Sequence, residues 1–233
     1  RAAALPAASQ PPAAAAKRTA TRRQRGKRRD LKREPAMGLT QSQPKPARVL
    51  VVGLDGSGKK CLLRRLVRQE IALMPPTHGY NIVRVSYAAR PCELIDVGGS
   101  DELRRYWSLY FEGLAGVVFV IDSADKRRLE QTGVELNRLL HEPKLARVPT
   151  LILANKQDKL DALRSQKVVD ALNLGAVRDR EWHVHECSAL DRRGVDEGFA
   201  WVLAQATRGL KAGQVTRSQW GEAWGRGARA RAV

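Results

Sequence analysis

Arg48-Val-Leu-Val-Val-Gly53-Leu-Asp-Gly-Ser-Gly58-Lys59 is the stretch that decides how this chain is read. An unbroken apolar run ending at a glycine has the pattern of a strand covered on both faces. Leu62, Leu63, Leu66 and Val67 then recur at helical spacing. Strand, glycine-rich turn and helix in that order form the context a phosphate-binding loop requires. Glycines let backbone amides converge on a phosphate, and the helix start adds partial positive charge. The residues so placed are Gly53, Asp55, Gly56, Ser57, Gly58, Lys59, Lys60 and Cys61. Lys59 is positioned to reach the β- and γ-phosphates of a nucleotide. An ordinary glycine-rich turn is the plainer alternative, so the rest of the chain has to decide.

One position breaks the pattern. Such loops place Ser or Thr after the lysine, because that hydroxyl coordinates Mg²⁺. Here Lys60 stands there, and an ammonium has no lone pair to offer a cation. Either Lys60 lies beside the β-phosphate and partly substitutes for the metal, or it swings to solvent and leaves Mg²⁺ short of a ligand.

Working outward, strand-like runs fall at 80–87, 92–97, 115–121, 149–154 and 182–187. Helical patterns lie between most of them, at Leu129 to Leu140, Val168 to Leu172 and Val195 to Leu210. The last places Val195, Phe199, Val202, Leu203, Ala206 and Leu210 on one stripe. Strands alternating with helices predict an α/β fold whose mostly parallel sheet is covered on both faces. Ligands in such folds sit at the carboxyl ends of the strands.

Two further strand ends carry chemistry. Asn155-Lys-Gln-Asp158 follows the run at 149–154. A carboxylate at Asp158 accepts from both N1–H and the exocyclic amine of guanine, a pair of donors adenine lacks. Lys156 is expected to lie along the base, and Asn155 to tie this loop to the phosphate loop. Cys187-Ser188-Ala189 follows the next strand, where the Ala189 amide is placed to donate to guanine O6. The ligand implied is GTP or GDP.

Together these elements resemble the ADP-ribosylation factor (Arf) family of small GTPases over residues 46–210. The resemblance rests on Gly53 to Lys59, Pro76-Thr77-His-Gly79-Tyr80-Asn81, Asp96-Val-Gly-Gly99, Asn155 to Asp158, and Cys187 to Ala189. It also rests on Ile121-Asp-Ser-Ala-Asp125, Arg178-Asp-Arg-Glu-Trp182 and Phe199-Ala-Trp201. It implies a Ras-like P-loop GTPase fold with a six-stranded sheet. Thr77 is then the switch threonine that meets Mg²⁺ and senses the γ-phosphate. Asp96 holds the metal through water, and the Gly99 amide contacts the γ-phosphate. Segment 80–97 is implied to slide in register between GDP and GTP states. Tyr80 and Tyr110 match aromatic positions on which effectors dock, with Ile95 where the family usually has Trp. Ser100 replaces the family glutamine that orients the attacking water. Its hydroxyl is too short for that task, so slow intrinsic hydrolysis is expected unless an activating protein assists. His78 is read as a solvent-facing switch residue. Protein effectors, an exchange factor and a GTPase-activating protein are the implied partners of a monomer, in traffic of lipidated cargo or at a membrane or cilium. A scaffold that binds GTP without hydrolysing it is the rival reading.

Of the 42 Lys and Arg in the net +18 chain, twelve lie in residues 1–46, opposed only by Asp30 and Glu34. The segmentation expected is therefore a basic low-complexity disordered extension at 1–46, the domain at 47–210 and a basic tail at 211–233. A domain of ordinary charge gives no reason to expect specific nucleic-acid binding, although the basic tail alone is compatible with nucleic acid or an anionic membrane. If translation starts at Met37, Gly38 heads a myristoylation pattern. Otherwise the leading segment reads as a solvated tail, a transit peptide or a nuclear signal. Trp220 and Trp224 sit four apart in the tail, as a partner anchor or as unstructured chain. Cys61, Cys92 and Cys187 have no metal-ligand spacing and fit free thiols in a reducing, cytoplasmic setting. The longest apolar run, Leu114 to Ile121, is of strand length and cannot span a bilayer.

Overall fold

Alternate residues of the central strands feed two separate cores, one on each side of the sheet. In the computed structural model, which describes residues 45–70, 77 and 79–208, the strands are β1 (Ala47–Val52), β2 (Tyr80–Tyr87), β3 (Arg90–Val97), β4 (Gly116–Asp122), β5 (Thr150–Asn155) and β6 (Trp182–Glu186). The helices are α1 (Lys59–Leu66), α2 (Asp101–Arg104), α3 (Leu129–Leu140), α4 (Ser165–Ala171) and α5 (Val195–Ala206). Val49, Val51, Val118, Val120, Leu151 and Leu153 pack with leucines of α1 and the apolar stripe of α5. Leu50, Val52, Val117, Phe119 and Ile152 pack with α3, α4 and Trp107 on the opposite face. Each fully buried aliphatic side chain contributes roughly 1.5–3 kcal/mol, and a strand covered on both faces collects this along its whole length.

The sheet order is β2-β3-β1-β4-β5-β6. All neighbours are parallel except β2 and β3. The six-stranded, mostly parallel α/β sheet expected from the sequence is therefore the observed one. The chain leaves β1 toward β3 on one side and β4 on the other, so the order reverses beside β1. That reversal opens a crevice at the carboxyl ends of these strands. Among the described residues β2 pairs with β3 alone and stands at the edge of the sheet, with Tyr80, Asn81 and Ile82 exposed.

Most predicted elements fall within one to three residues of the observed ones. Helix α4 begins at Ser165 rather than Val168, and α5 ends at Ala206 rather than Leu210. The short helix α2 has no counterpart in the reading of the sequence. Expectations placed on residues 1–44, Pro76, His78 and 209–233, including Gly38, Trp220 and Trp224, lie outside the described residues. Among the described residues no helix is long and apolar enough to cross a membrane.

Candidate nucleotide-binding site

The turn after β1 is shaped by close approach. Gly58 has φ +96°, a left-handed conformation that penalises any Cβ, and a Cβ there would sit 2.3 Å from Asn155 Nδ2. Helix α1 starts from this glycine with no side-chain cap and no acid in its first turn. Its leading amides and the positive end of its dipole are thus left for an anion. Lys59 is folded over the loop, with Nζ donating to the carbonyls of Gly53 at 2.7 Å and Leu54 at 2.9 Å. Burial pushes its pKa down to about 8, against the opposing pull of Asp96 and Asp55.

A cleft of about 890 Å³ opens beside this loop. Asp55, Gly56, Gly58, Lys59, Lys60 and Cys61 line it, together with Thr77, Gly99 and Ser100. Gly99 is packed hard against the phosphate loop, since a Cβ on it would lie 2.2 Å from the Gly53 carbonyl. Its own carbonyl accepts the Asp55 amide at 3.1 Å and Arg104 Nη1 at 2.9 Å. Ser100 starts α2 through its backbone, accepting the Leu103 and Arg104 amides at 3.0 Å. Its side chain makes no cap bond.

Magnesium is bound by oxygens, so the oxygens present decide whether it fits. Thr77 Oγ1 donates to Asp96 Oδ2 at 3.4 Å. Asp96 is 1% exposed, and its Oδ1 has no hydrogen-bond partner among the described residues. Burial raises its pKa, while Lys59, Thr77 and Lys60 act the other way. Thr77 and Asp96 would therefore serve a cation. The third oxygen expected of such a site is missing: Lys60 occupies that position and brings a positive charge next to Asp96. The set does not fit a conventional magnesium site.

The base end is joined to the phosphate end through one buried side chain. Asn155 Nδ2 donates to the Ser57 carbonyl at 2.8 Å, and its Oδ1 accepts the Ala189 amide at 3.1 Å. Lys156 has φ +68°, so the backbone turns there, leaving Asn155 buried and Asp158 exposed. Ser188 Oγ donates to Asp158 Oδ1 at 2.6 Å and holds that carboxylate at the rim. Asp158, Ser188 and Ala189 are thus brought together around Asn155. Lys156 is paired with Asp122 at 2.6 Å, and the Ala189 amide is engaged by Asn155 in this structure.

Two arginines that the sequence reading did not single out brace the loops of the site. Arg128 donates from Nη1 to Asp55 Oδ1 at 3.0 Å and from Nε to Asp125 Oδ2 at 2.7 Å, bridging the phosphate loop to the turn after β4. The buried Arg104 joins Gly99 to Glu135 of α3. Asp122 and Asp125 stood within a stretch that carried the resemblance. Neither arginine had a local signal.

Of the three residues expected to receive effectors, two are brought together and one is not. Tyr80 and Tyr110 have ring centroids 5.5 Å apart, with Tyr80 57% exposed. Ile95 is 2% exposed and belongs to the core that holds Leu50, Val97 and Trp107. The expectation for Ile95 is therefore corrected: β3 is covered on both faces at this point, so the side chain has no route to the surface.

Comparison with known proteins agrees with this geometry. The sequence profile described as the ADP-ribosylation factor family matches residues 36–206. ADP-ribosylation factor-like protein 3 of Caenorhabditis elegans is 42% identical over 158 residues, 67% of this chain and 86% of that protein. The protein of the same name from Chlamydomonas reinhardtii is 40% identical over 159 residues, 68% of this chain and 90% of that one. Among solved structures, the small GTPase Arl6 (BBS3) of Trypanosoma brucei with the bound nucleotide analogue GppNp superposes with a TM-score of 0.65. It is 28% identical, and the match covers 70% of this chain and 99% of that one. This chain belongs to the ADP-ribosylation factor family.

Proposed function

We propose that this protein is a guanine-nucleotide-dependent switch that binds effectors in its GTP state and hydrolyses GTP slowly. The observation that carries the reading is the pair of hydrogen bonds by which Asn155 donates to the Ser57 carbonyl and accepts from the Ala189 amide. It clamps a guanine-type base loop to a phosphate loop, so that one ligand can engage both. Lys59, the α1 amides and the Gly58 turn supply the phosphate end, and the Asp158 carboxylate, held by Ser188, supplies base selectivity. Thr77, Asp96 and Gly99 are the groups we assign to sensing the terminal phosphate. A ligand shifts a conformational equilibrium only by its differential affinity for the two states, and Gly99 and Thr77 line the same cleft as the phosphate loop. Among the described residues β2 has β3 as its one sheet neighbour, which supports the 80–97 hairpin as the element that changes register.

Tyr80 and Tyr110 are assigned to effector contact. A role in membrane or lipidated-cargo traffic, which the family resemblance implies, is part of the same reading. An exchange factor and an activating protein belong to the same proposal, as does peripheral membrane or ciliary location. Ser100 favours a second reading, a scaffold that holds GTP without turning it over, because the residue lines the cleft but its side chain is too short to orient water at a γ-phosphate.

The test is fluorescent-nucleotide titration of the full chain, with GDP, GTP and ATP as competitors, followed by single-turnover hydrolysis. Displacement by GDP and GTP but not ATP is expected, with slow release of phosphate. Displacement by ATP as readily as by GTP would sink the guanine assignment. Absence of any hydrolysis, with an activating protein present, would favour the scaffold.

A further inference from the structure

We propose that Lys60 takes the place of the divalent cation, so that this protein holds guanine nucleotides without magnesium, between two adjacent lysines counter-charged by Asp96. The inference rests on the nucleotide site proposed above and concerns only what neutralises the phosphates there.

Three observations carry it. Lys60 is the second residue of α1 and lines the same cleft as Lys59, Thr77 and Gly99. Its ammonium stands at the end of a four-carbon stem, so it reaches farther into that cleft than a serine or threonine hydroxyl at the same position. Asp96, at the end of β3, lies 1% exposed with Oδ1 unpartnered among the described residues, and is near enough to interact electrostatically with Lys60. A buried carboxylate facing a phosphate is repelled unless a cation stands between them. The ordinary solution is a divalent ion held by an oxygen from α1. Lys60 removes that oxygen and adds a fixed positive charge in the same region, which opposes entry of a second cation. The same ammonium satisfies the electrostatic requirement itself, as a donor to phosphate and a partner for Asp96. Lys59 is occupied by the loop carbonyls, so the two lysines divide the work instead of duplicating it.

The experiment compares release of a fluorescent GDP from the full chain and from Lys60→Ser, each in millimolar magnesium and in chelator. The wild type is expected to release GDP at the same rate in both, within about threefold. Lys60→Ser, which restores the oxygen and removes the charge, is expected to become magnesium-dependent. Its release should accelerate about thirtyfold or more on chelation, the usual effect of losing one partner of a buried charge pair. A wild type that accelerates on chelation as much as Lys60→Ser overturns the proposal and places Lys60 outside the phosphate site. A wild type that fails to bind, beside a Lys60→Ser that binds in magnesium, also overturns it, because Lys60 then blocks the site; the nucleotide-site reading survives that result. If neither protein binds GDP in either condition, the nucleotide-site reading itself fails, and this proposal with it.

Discussion

Asn155 donates its side-chain amide to the Ser57 carbonyl at 2.8 Å, across 98 positions of sequence. Both groups are buried, and the same side chain receives the Ala189 amide. Asn155→Ala leaves a carbonyl and an amide without partners inside the protein, each costing about 1–3 kcal/mol. We expect lower thermal stability without nucleotide and at least about tenfold faster release of GDP, since the two halves of the site are no longer held in register. Asn155→Asp should be as harmful to release, because a carboxylate repels the Ser57 carbonyl. Unchanged release in both variants, measured by stopped-flow fluorescence, would refute the clamp.

Lys59 makes nucleotide affinity depend on pH. Burial lowers its pKa in the folded protein from 10.5 to about 8. Between those values the unfolded chain binds the extra proton, so this lysine makes the nucleotide-free protein more stable as pH rises from about 8 to about 10. The full effect is on the order of 3 kcal/mol, and it should vanish in Lys59→Met. Affinity for GDP moves the opposite way. Phosphate needs the ammonium, so above about pH 8 binding must take up a proton and weaken by about tenfold per pH unit. Calorimetry in two buffers of different ionisation enthalpy reads that uptake directly. A pH-independent affinity across this range would show that Lys59 stays charged.

The fold was legible because its strands are long apolar runs and its helices carry clear stripes. Helix α3 was delimited at Leu129 and Leu140 by spacing alone. Both ends of the site were legible for the same reason, since phosphate loop and base loop are contiguous motifs at strand ends. The supports were not. Arg104 and Glu135 lie 31 positions apart, and Arg128 and Asp55 lie 73 apart. An arginine within Lys126-Arg-Arg128 reads as surface charge until the fold sets a carboxylate beside it. Helix α2 is a single turn, too short to show a period. Ile95 was misjudged because its place in a family pattern suggested a surface role. A strand covered on both faces gives no alternation to contradict that.

Arg104 is the support we expect to matter most for stability. Its side chain is 7% exposed and is held by the Gly99 carbonyl, by Glu135 (14% exposed) at 3.0 Å and by Asp101. Truncation strands the Glu135 carboxylate in a buried setting, which typically costs about 3–5 kcal/mol. Arg104→Ala should therefore unfold at distinctly lower denaturant concentration. Arg104→Met combined with Glu135→Met, which removes both charges and keeps the volume, should recover most of the loss. Arg128→Ala is the control. That pair is 35% and 56% exposed, and exposed pairs are worth about 0–1 kcal/mol. Its effect should fall on nucleotide release through Asp55, with little change in the melt.

We expect Ser100 to set the rate of turnover. It enters α2 through its carbonyl, lines the cleft and leaves its hydroxyl uncommitted to a cap. Nothing in that backbone arrangement depends on the side chain, so Ser100→Gln should fold and bind nucleotide as the parent does. A glutamine amide reaches the distance at which water is held for in-line attack. We expect single-turnover GTP hydrolysis to rise by about 10²-fold, the usual worth of positioning a reacting group, with GDP affinity unchanged. Hydrolysis that stays at the parental rate while binding is intact would mean that the charge environment created by Lys60, and not the short side chain, limits the reaction. The double variant Lys60→Ser with Ser100→Gln separates the two. A rise only in the double variant assigns the block to Lys60, and a full rise in Ser100→Gln alone assigns it to Ser100.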